Sequence, residues 1–518
     1  MTGTKQLNTF LLAVALLLGI AADLFLKTGS WGLGFSAWGL LLLAAVAVVA
    51  WQYGTPLKRE GLALAGLAAC AAVFSGWRDA LILSAVDVLA VLFCAALLLL
   101  KTGGYSLHRL PLSRALYGFF LQVFHAVAGA GILVFGDLRR EPEATSRFRA
   151  ALPIFRGLLF ALPPLVVFSA LLASADADFD YLVREILDIQ FWEIVGHTFL
   201  IGSVTWLAAG LFRGKYVADE PAFSPNLRPK FLSVGTTEIV IVFGLLDLLF
   251  LAFMVLQLPY FFGSHTTVLG TPSLTYAEYA RRGFYELLWV VAFALPLLLS
   301  ADYLLRRESG GDVSLFRALG GMLVALLIGV LASALWRLRL YVERFGLTED
   351  RLFACAVVLW LALVLFWLCA TVLAGRRDRF LYGAVLSGYA SLLLLNLINP
   401  HALVAELNLS RDPGGFDVAY HEKLSADAVP ALVNGIDRLD PEARNELAWS
   451  LLSRYNRRTV ADWRSWNASI ASATTVVRRE SQRLRGYLLP LKPQVEHQKK
   501  PCAGAAADTL CGTEKVRR

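Results

Sequence analysis

Charge is scarce in this chain. Asp, Glu, Lys and Arg make up 17% of its 518 residues, where an ordinary soluble domain carries about 25%. That shortage excludes a conventional water-soluble enzyme. Cysteine is scarce as well, six in all, and too scattered for a disulfide scaffold. No Cys/His cluster has the spacing of zinc ligands, so neither a structural metal nor a cofactor is expected. Walker loop, dinucleotide fingerprint, nucleophile elbow and HExxH string are all missing. These gaps remove the motif-bearing enzyme classes, but not a site assembled from separate helices. Glycine shows no period and apolar residues reach 57%, so collagen and disorder are excluded too.

What is present is oil. A membrane-crossing helix needs about 20 apolar residues. Eleven runs qualify, at 8–26, 31–53, 61–77, 79–100, 157–174, 193–212, 235–262, 284–304, 314–335, 352–374 and 380–398. The net charge of +8 sits in short loops between them, the pattern of a polytopic membrane protein rather than of a nucleic-acid binder. The fold class is therefore all-α, a polytopic helical membrane protein. The first run could be a cleaved signal peptide, but its continuation into Leu24-Phe25-Leu26 favours an uncleaved anchor.

The segment 116–135 is ambiguous. Lys101, Arg109 and Arg114 precede it, and Arg139, Arg140, Arg147, Arg149 and Arg156 follow it. Spanning would put one basic cluster on the wrong side, so an amphipathic helix lying in or dipping into the cytoplasmic leaflet is expected. Eleven spans with the N-terminus inside then place Lys58-Arg59, Arg213, Lys215, Arg228, Lys230, Arg306-Arg307 and Arg376-Arg377-Arg379 in the cytoplasm of a bacterial inner membrane. The exception is 336–351, an external loop in this scheme despite Arg337, Arg339, Arg344 and Arg351.

From Asn399 the composition becomes that of a soluble domain. Ser425 reads as one helix cap; Asp440-Pro441-Glu442 opens a second helix; a third is expected over about 460–488. The expected division is 1–100 (four spans), 101–156 (basic cytoplasmic segment), 157–398 (seven spans), 399–490 (a small exported helical domain) and 491–518 (a disordered tail). Cys502 and Cys511 in that tail could pair in an oxidising compartment.

Several strings are more specific than generic membrane sequence: Tyr279-Ala-Arg-Arg-Gly-Phe-Tyr-Glu-Leu287, Phe345-Gly-Leu-Thr-Glu-Asp-Arg-Leu352, Asn399-Pro-His-Ala-Leu-Val-Ala-Glu-Leu-Asn408, Asp417-Val-Ala-Tyr-His-Glu-Lys-Leu-Ser-Ala-Asp-Ala-Val-Pro430 and Asp462-Trp-Arg-Ser-Trp-Asn467. Over about 150–475 the chain resembles the bacterial multi-pass families known only as domains of unknown function 4153 and 4173. It departs from them at His401, where the resemblance leads one to expect an acid. What it implies is architecture and location, not an activity.

On this topology Asp176, Asp178, His265, Tyr279, Arg281, Arg282, Arg337, Arg351 and Asn399 share the outer face. The arginine fork suits an anionic lipid or carboxylated small molecule, and the same arginines could equally anchor helix ends and pair with Asp176, Asp178 or Glu278. Glu286 follows Arg282 by four residues, so the two can pair along one helix. Inside the spans lie Asp23, Asp87, Glu238 and Asp247, each needing a partner or a wet cavity. Glu238 and Asp247 fall about 180° apart on their helix and cannot form one site. His125 reads as a hydrogen-bonded surface group, and His197 as a proton carrier or a capping contact. Three functions stay open: a binding or sensing protein whose exported domain meets an envelope partner, a transporter using its buried acids, or an enzyme acting on a lipid-linked anionic substrate.

Overall fold

The computed structural model describes residues 2–27, 32–134, 191–219, 235–262, 284–305, 310–411, 416–458 and 462–488, with isolated positions between 168 and 181. Every long element among them is a helix. Eleven are long and apolar enough to cross a membrane: α1 (Thr2–Leu26), α2 (Leu33–Gln52), α3 (Arg59–Trp77), α4 (Leu81–Leu98), α5 (Leu112–Ile132), α6 (Phe191–Tyr216), α7 (Thr236–Phe262), α8 (Phe284–Leu304), α9 (Gly310–Phe345), α10 (Glu349–Leu368) and α11 (Phe380–Ile398). Leu17, Phe120, Leu249 and Phe293 on four of these helices are each more than 60% exposed. Helices that are apolar all round belong in lipid, where such side chains cost nothing.

The helices alternate strictly between two ends. Helix α6 starts beside the close of α1, where His197 Nδ1 lies 2.6 Å from Asp23 Oδ1. It finishes beside Tyr53 and Lys101. Helix α7 runs parallel to α9, with Phe243 on Phe316 and Gln257 near Ser333. One apolar core joins α1–α4 with parts of α5, α6 and α11, and a second joins α7–α11.

Two expectations about the spans change. Segment 116–135, expected to lie in or dip into the leaflet, falls almost wholly within α5, which packs lengthwise and antiparallel against α6. The reason is small residues: Gly129 and Gly210 meet so closely that a Cβ on Gly210 would lie 2.3 Å from the His125 carbonyl. Gly210 and Gly214 form a GxxxG face, which draws membrane helices together. The expected span 157–174 lies almost entirely outside the described residues. Residues 336–345 are likewise no loop. They continue α9 to 36 residues, far beyond the bilayer requirement, as a stalk that reaches the terminal domain.

That domain comprises α12 (Pro400–Leu409), α13 (Val418–His421), α14 (Val429–Gly435), α15 (Pro441–Tyr455), α16 (Ala468–Arg479) and α17 (Ser481–Gly486). It has its own core, built on Val404, Leu432, Ile436, Leu447, Tyr455 and Val477, which also takes in Leu347 from the membrane body. Asp440 caps α15 through the Ala443 amide, with Pro441 at the first helical position. The single helix expected over 460–488 is instead a 3-10 turn (Trp463–Ser465) and two helices. Asn467 stops the chain short and caps α16 with its side chain, accepting from the Ser469 and Ile470 amides. Asn399 supplies the abrupt corner between α11 and α12. It adopts φ 57° and caps α12 through the Ala402 amide, one of the few conformations in which a left-handed non-glycine residue is well tolerated.

Candidate functional site

Among the described residues, a dense polar constellation lies where the domain meets the membrane helices. It is built on the tight α3–α4 turn, Arg78-Asp79. Asp427, 4% exposed, sits against that turn and accepts five hydrogen bonds. Its Oδ2 receives the Asp79 amide at 2.7 Å, the Ala80 amide at 3.1 Å and the Ser425 hydroxyl at 3.0 Å. Its Oδ1 receives the Ser469 hydroxyl at 2.5 Å and Arg78 Nη1 at 3.3 Å. Asp79 returns the contact, its Oδ2 accepting the Ala426 amide at 3.0 Å. Each carboxylate thus caps the start of the other's helix, where unsatisfied amides and the helix dipole favour negative charge.

Arg78 threads inward from the same point. Its Nε donates to the Asn396 carbonyl at 2.8 Å, and its own carbonyl accepts from Asn467 Nδ2 at 2.6 Å. Asn396, fully buried, passes its amide to Asp87 Oδ1 at 2.9 Å. Asp87 is fully buried as well, and its Oδ2 has no hydrogen-bond partner. A chain of contacts therefore leads from the domain, through the hairpin turn, to an acid inside α4. Burial first, and the nearby Asp427 charge second, push the Asp79 carboxyl above its ordinary value, while the Ala426 amide opposes them.

A second junction fastens the stalk. Asn408 Oδ1 accepts the Leu347 amide at 2.9 Å, its Nδ2 donates to the Leu347 carbonyl at 2.7 Å, and Arg411 holds the Val342 and Glu343 carbonyls. Gly346, at φ 80°, ends α9 so close to Asn408 that a Cβ would lie 2.9 Å from its Oδ1. His401, where an acid was expected, is buried. The Ser425 amide donates to its Nδ1 at 3.0 Å, and its Nε2 lies 2.7 Å from Glu349 Oε2.

The residues singled out from sequence distribute unevenly around this frame. Tyr279, Arg281, Arg282, Asp178 and His265 lie outside the described residues, as do Cys502 and Cys511. Asp176 is exposed and accepts the Phe179 amide at 2.8 Å. Glu286, exposed on α8, and Arg337, half-buried on the stalk, lie toward the domain end. Arg351 is there too, with its guanidinium committed to the Phe345 and Gly346 carbonyls and stacked 4.1 Å from the Tyr341 ring. No hydrogen bond or ion pair among the described residues joins Glu286, Arg337 and Arg351. Glu238 is exposed at the start of α7, whereas Asp247, 6% exposed, sits in the α7–α9 seam with neither carboxylate oxygen hydrogen-bonded. Asp23 finds its partner in His197 on α6. His125 departs from expectation: it is buried between α5 and α6, because Gly210 and Gly214 bring α6 up against it.

The sequence reading missed Arg78, Asp79, Asn396 and Asp427 as a unit. One signal was present: an Arg-Asp pair confined to a four-residue turn between two apolar helices has few ways to avoid burial, and it needs partners from elsewhere.

Taken together, these elements define a multi-pass α-helical membrane protein with a helical domain fixed to one end of its transmembrane body. The family described as "Domain of unknown function (DUF4153)" matches residues 61–435, a stretch holding both α3–α4 and the Asp427 lock, and the chain belongs to that family. No curated protein and no solved structure matches the chain.

Proposed function

We propose that this is a bacterial inner-membrane protein that binds or senses an envelope component through its terminal domain, with the N-terminus inside and the domain outside. The observation carrying this reading is the reciprocal cap between Asp79 and Asp427. It makes the domain, the α3–α4 hairpin and α11 one mechanical unit, so a ligand that tilts the domain also moves Asn396 and Asp87. A passive anchor needs no such buried polar chain, since a flexible linker would suffice. The orientation rests on the opposite end, where Lys58, Arg59, Lys101, Arg109, Arg114, Arg213, Lys215, Arg376, Arg377 and Arg379 gather, as the bias of basic residues toward the cytoplasm requires. Trp449, 65% exposed on α15, offers the domain an aromatic anchor for a protein partner.

The test uses Cys502 and Cys511. A membrane-impermeant maleimide applied to intact spheroplasts after mild reduction labels them if the domain is exported. Labelling only after lysis reverses the orientation. On the exported arrangement, photo-cross-linking from position 449 captures the partner, and substitution of Asp427 weakens the downstream response without reducing capture.

A second reading is favoured by Asp247. A buried acid without a partner in a helix seam is the arrangement of a proton-linked transporter, and Asp247→Asn would then abolish uptake while leaving the protein in the membrane. Anion binding by Tyr279, Arg281, Arg282, Glu286, Arg337 and Arg351, with Asp176 and Asp178, is the third proposal. It predicts loss of interfacial activity at normal protein level when Arg282 is replaced.

A further inference from the structure

At the basic end, far from the domain, α4, α5 and α6 enclose a small pocket lined by Lys101, Gly118, Gln122, His125, Gly214 and Lys215 among others. Two lysines reach across it in opposite directions. Lys215 Nζ donates to the Leu100 carbonyl at the close of α4, and Lys101 Nζ donates to the Ala218 carbonyl beyond the close of α6. Each spends one of its three donors on a carbonyl and keeps two. Those carbonyls belong to helix C-termini, which together offset about one unit of positive charge. Arg114 and Arg213, both buried, add positive charge at the same corner, and Asp219 is the acid that acts on Lys101. Burial pushes the Lys101 amine down from its ordinary value, and Asp219 opposes it. His125 completes it: the residue is 8% exposed and its Nδ1 has no hydrogen-bond partner.

We propose that this pocket binds the phosphate group of an anionic phospholipid, with one phosphate oxygen seated among Lys101, Lys215 and His125. The cavity has room for about one water-sized atom, which suits a single oxygen and leaves the esterified remainder of the headgroup at the mouth. The surroundings suit a lipid. Leu116, Phe119, Phe120 and Phe124 on α5 are all at least 50% exposed, and the site lies where spanning helices end and headgroups begin. The inference does not depend on what the terminal domain binds.

The test measures thermal unfolding of the full chain in nanodiscs of phosphatidylcholine with increasing phosphatidylglycerol, beside detergent-solubilised protein titrated with inorganic phosphate or chloride. The expected result is a rise in Tm with phosphatidylglycerol. The Lys101→Gln/Lys215→Gln variant keeps an amide donor for each carbonyl but loses both charges, and should need at least about tenfold more of the lipid for the same rise. Lys101→Arg/Lys215→Arg should respond as the unaltered protein does. A response to inorganic phosphate equal to that of the lipid keeps the phosphate site but assigns it to a soluble ligand. Three results overturn the proposal: no difference between the two lipids, an equal response to chloride, or a folded glutamine variant with an unchanged titration. If the glutamine variant does not fold, the lipid and ion titrations of the unaltered protein still decide.

Discussion

Asp79 and Asp427, 348 positions apart in the chain, exchange helix caps: the Asp427 carboxylate takes the Asp79 and Ala80 amides at the head of α4, and the Asp79 carboxylate takes the Ala426 amide at the head of the 3-10 turn that leads into α14. Arg78 pairs with Asp427 at 3.3 Å, and Arg458 and His401 supply positive charge to Asp79. The buried contact has two sides, and removing one leaves the other uncompensated.

Asp427→Asn tests this most directly. It keeps the size and one acceptor oxygen, but leaves Arg78 buried without its counter-ion. Breaking a buried ion pair from one side costs about 3–5 kcal/mol. A lowered Tm in detergent is expected, together with faster tryptic release of fragments from 399–488. An unchanged Tm and digestion pattern would mean that the apolar contacts of the domain hold it without the lock.

The lock should respond to pH in a particular direction. The Asp79 pKa is raised in the folded protein, mainly by burial, so folding favours the protonated form. Its contribution is therefore fully present below the ordinary carboxylate value of 3.8 and is lost as pH rises through the raised one. Asp79→Asn, neutral at every pH, should flatten the dependence of Tm across that window. A window unaltered by the substitution would assign it to other groups. Asp437, whose pKa is lowered first by the Tyr487 hydroxyl and also by Arg483, acts with the opposite sign and loses its contribution as pH falls.

Helix α5 makes a separate prediction. Gly210→Val places methyl groups where the His125 carbonyl now lies, and overpacking of this kind costs about 1–3 kcal/mol. The α5–α6 pair should part, read as a fall in Tm and as a change in the fluorescence of Trp206, whose Nε1 donates to the Val127 carbonyl at 2.8 Å. A helix lying on the leaflet surface would be indifferent to Gly210.

The legible parts of this protein are the local ones. Apolar length is a property of twenty consecutive residues, and the Asp440-Pro441 start of α15 is a property of three, so both can be read from the sequence. Segment 116–135 is harder to read because its flanking charges are visible in the sequence and its small-residue packing is not: the partner of Gly129 is Gly210, on another helix. The stalk is hidden by its arginines, which break the apolar run, although Leu338 carries the apolar face onward from the membrane core and Val342 takes it into the domain core. The lock was illegible for a third reason. Arg78 meets Asp427 across 349 positions and Asp87 meets Asn396 across 309, and nothing in one sequence pairs residues so far apart.

Asp247 sets the last test, because stability and function should pull in opposite directions there. It faces the α7–α9 seam between Phe243, which meets Phe316, and Met254, which lies against Gly329. An ionisable side chain at membrane depth costs on the order of 2.5–3.5 kcal/mol by insertion scales, and no hydrogen bond offsets that cost at Asp247. Asp247→Leu, of similar size and apolar, should therefore raise Tm, and Asp247→Asn should change it less. If the acid moves protons, both variants lose transport, and a more stable protein is a dead one, the trade expected where a strained group is kept for its chemistry. If Asp247→Leu lowers Tm instead, the carboxyl has a partner that forms only in the bilayer, and the transporter reading loses its supporting observation.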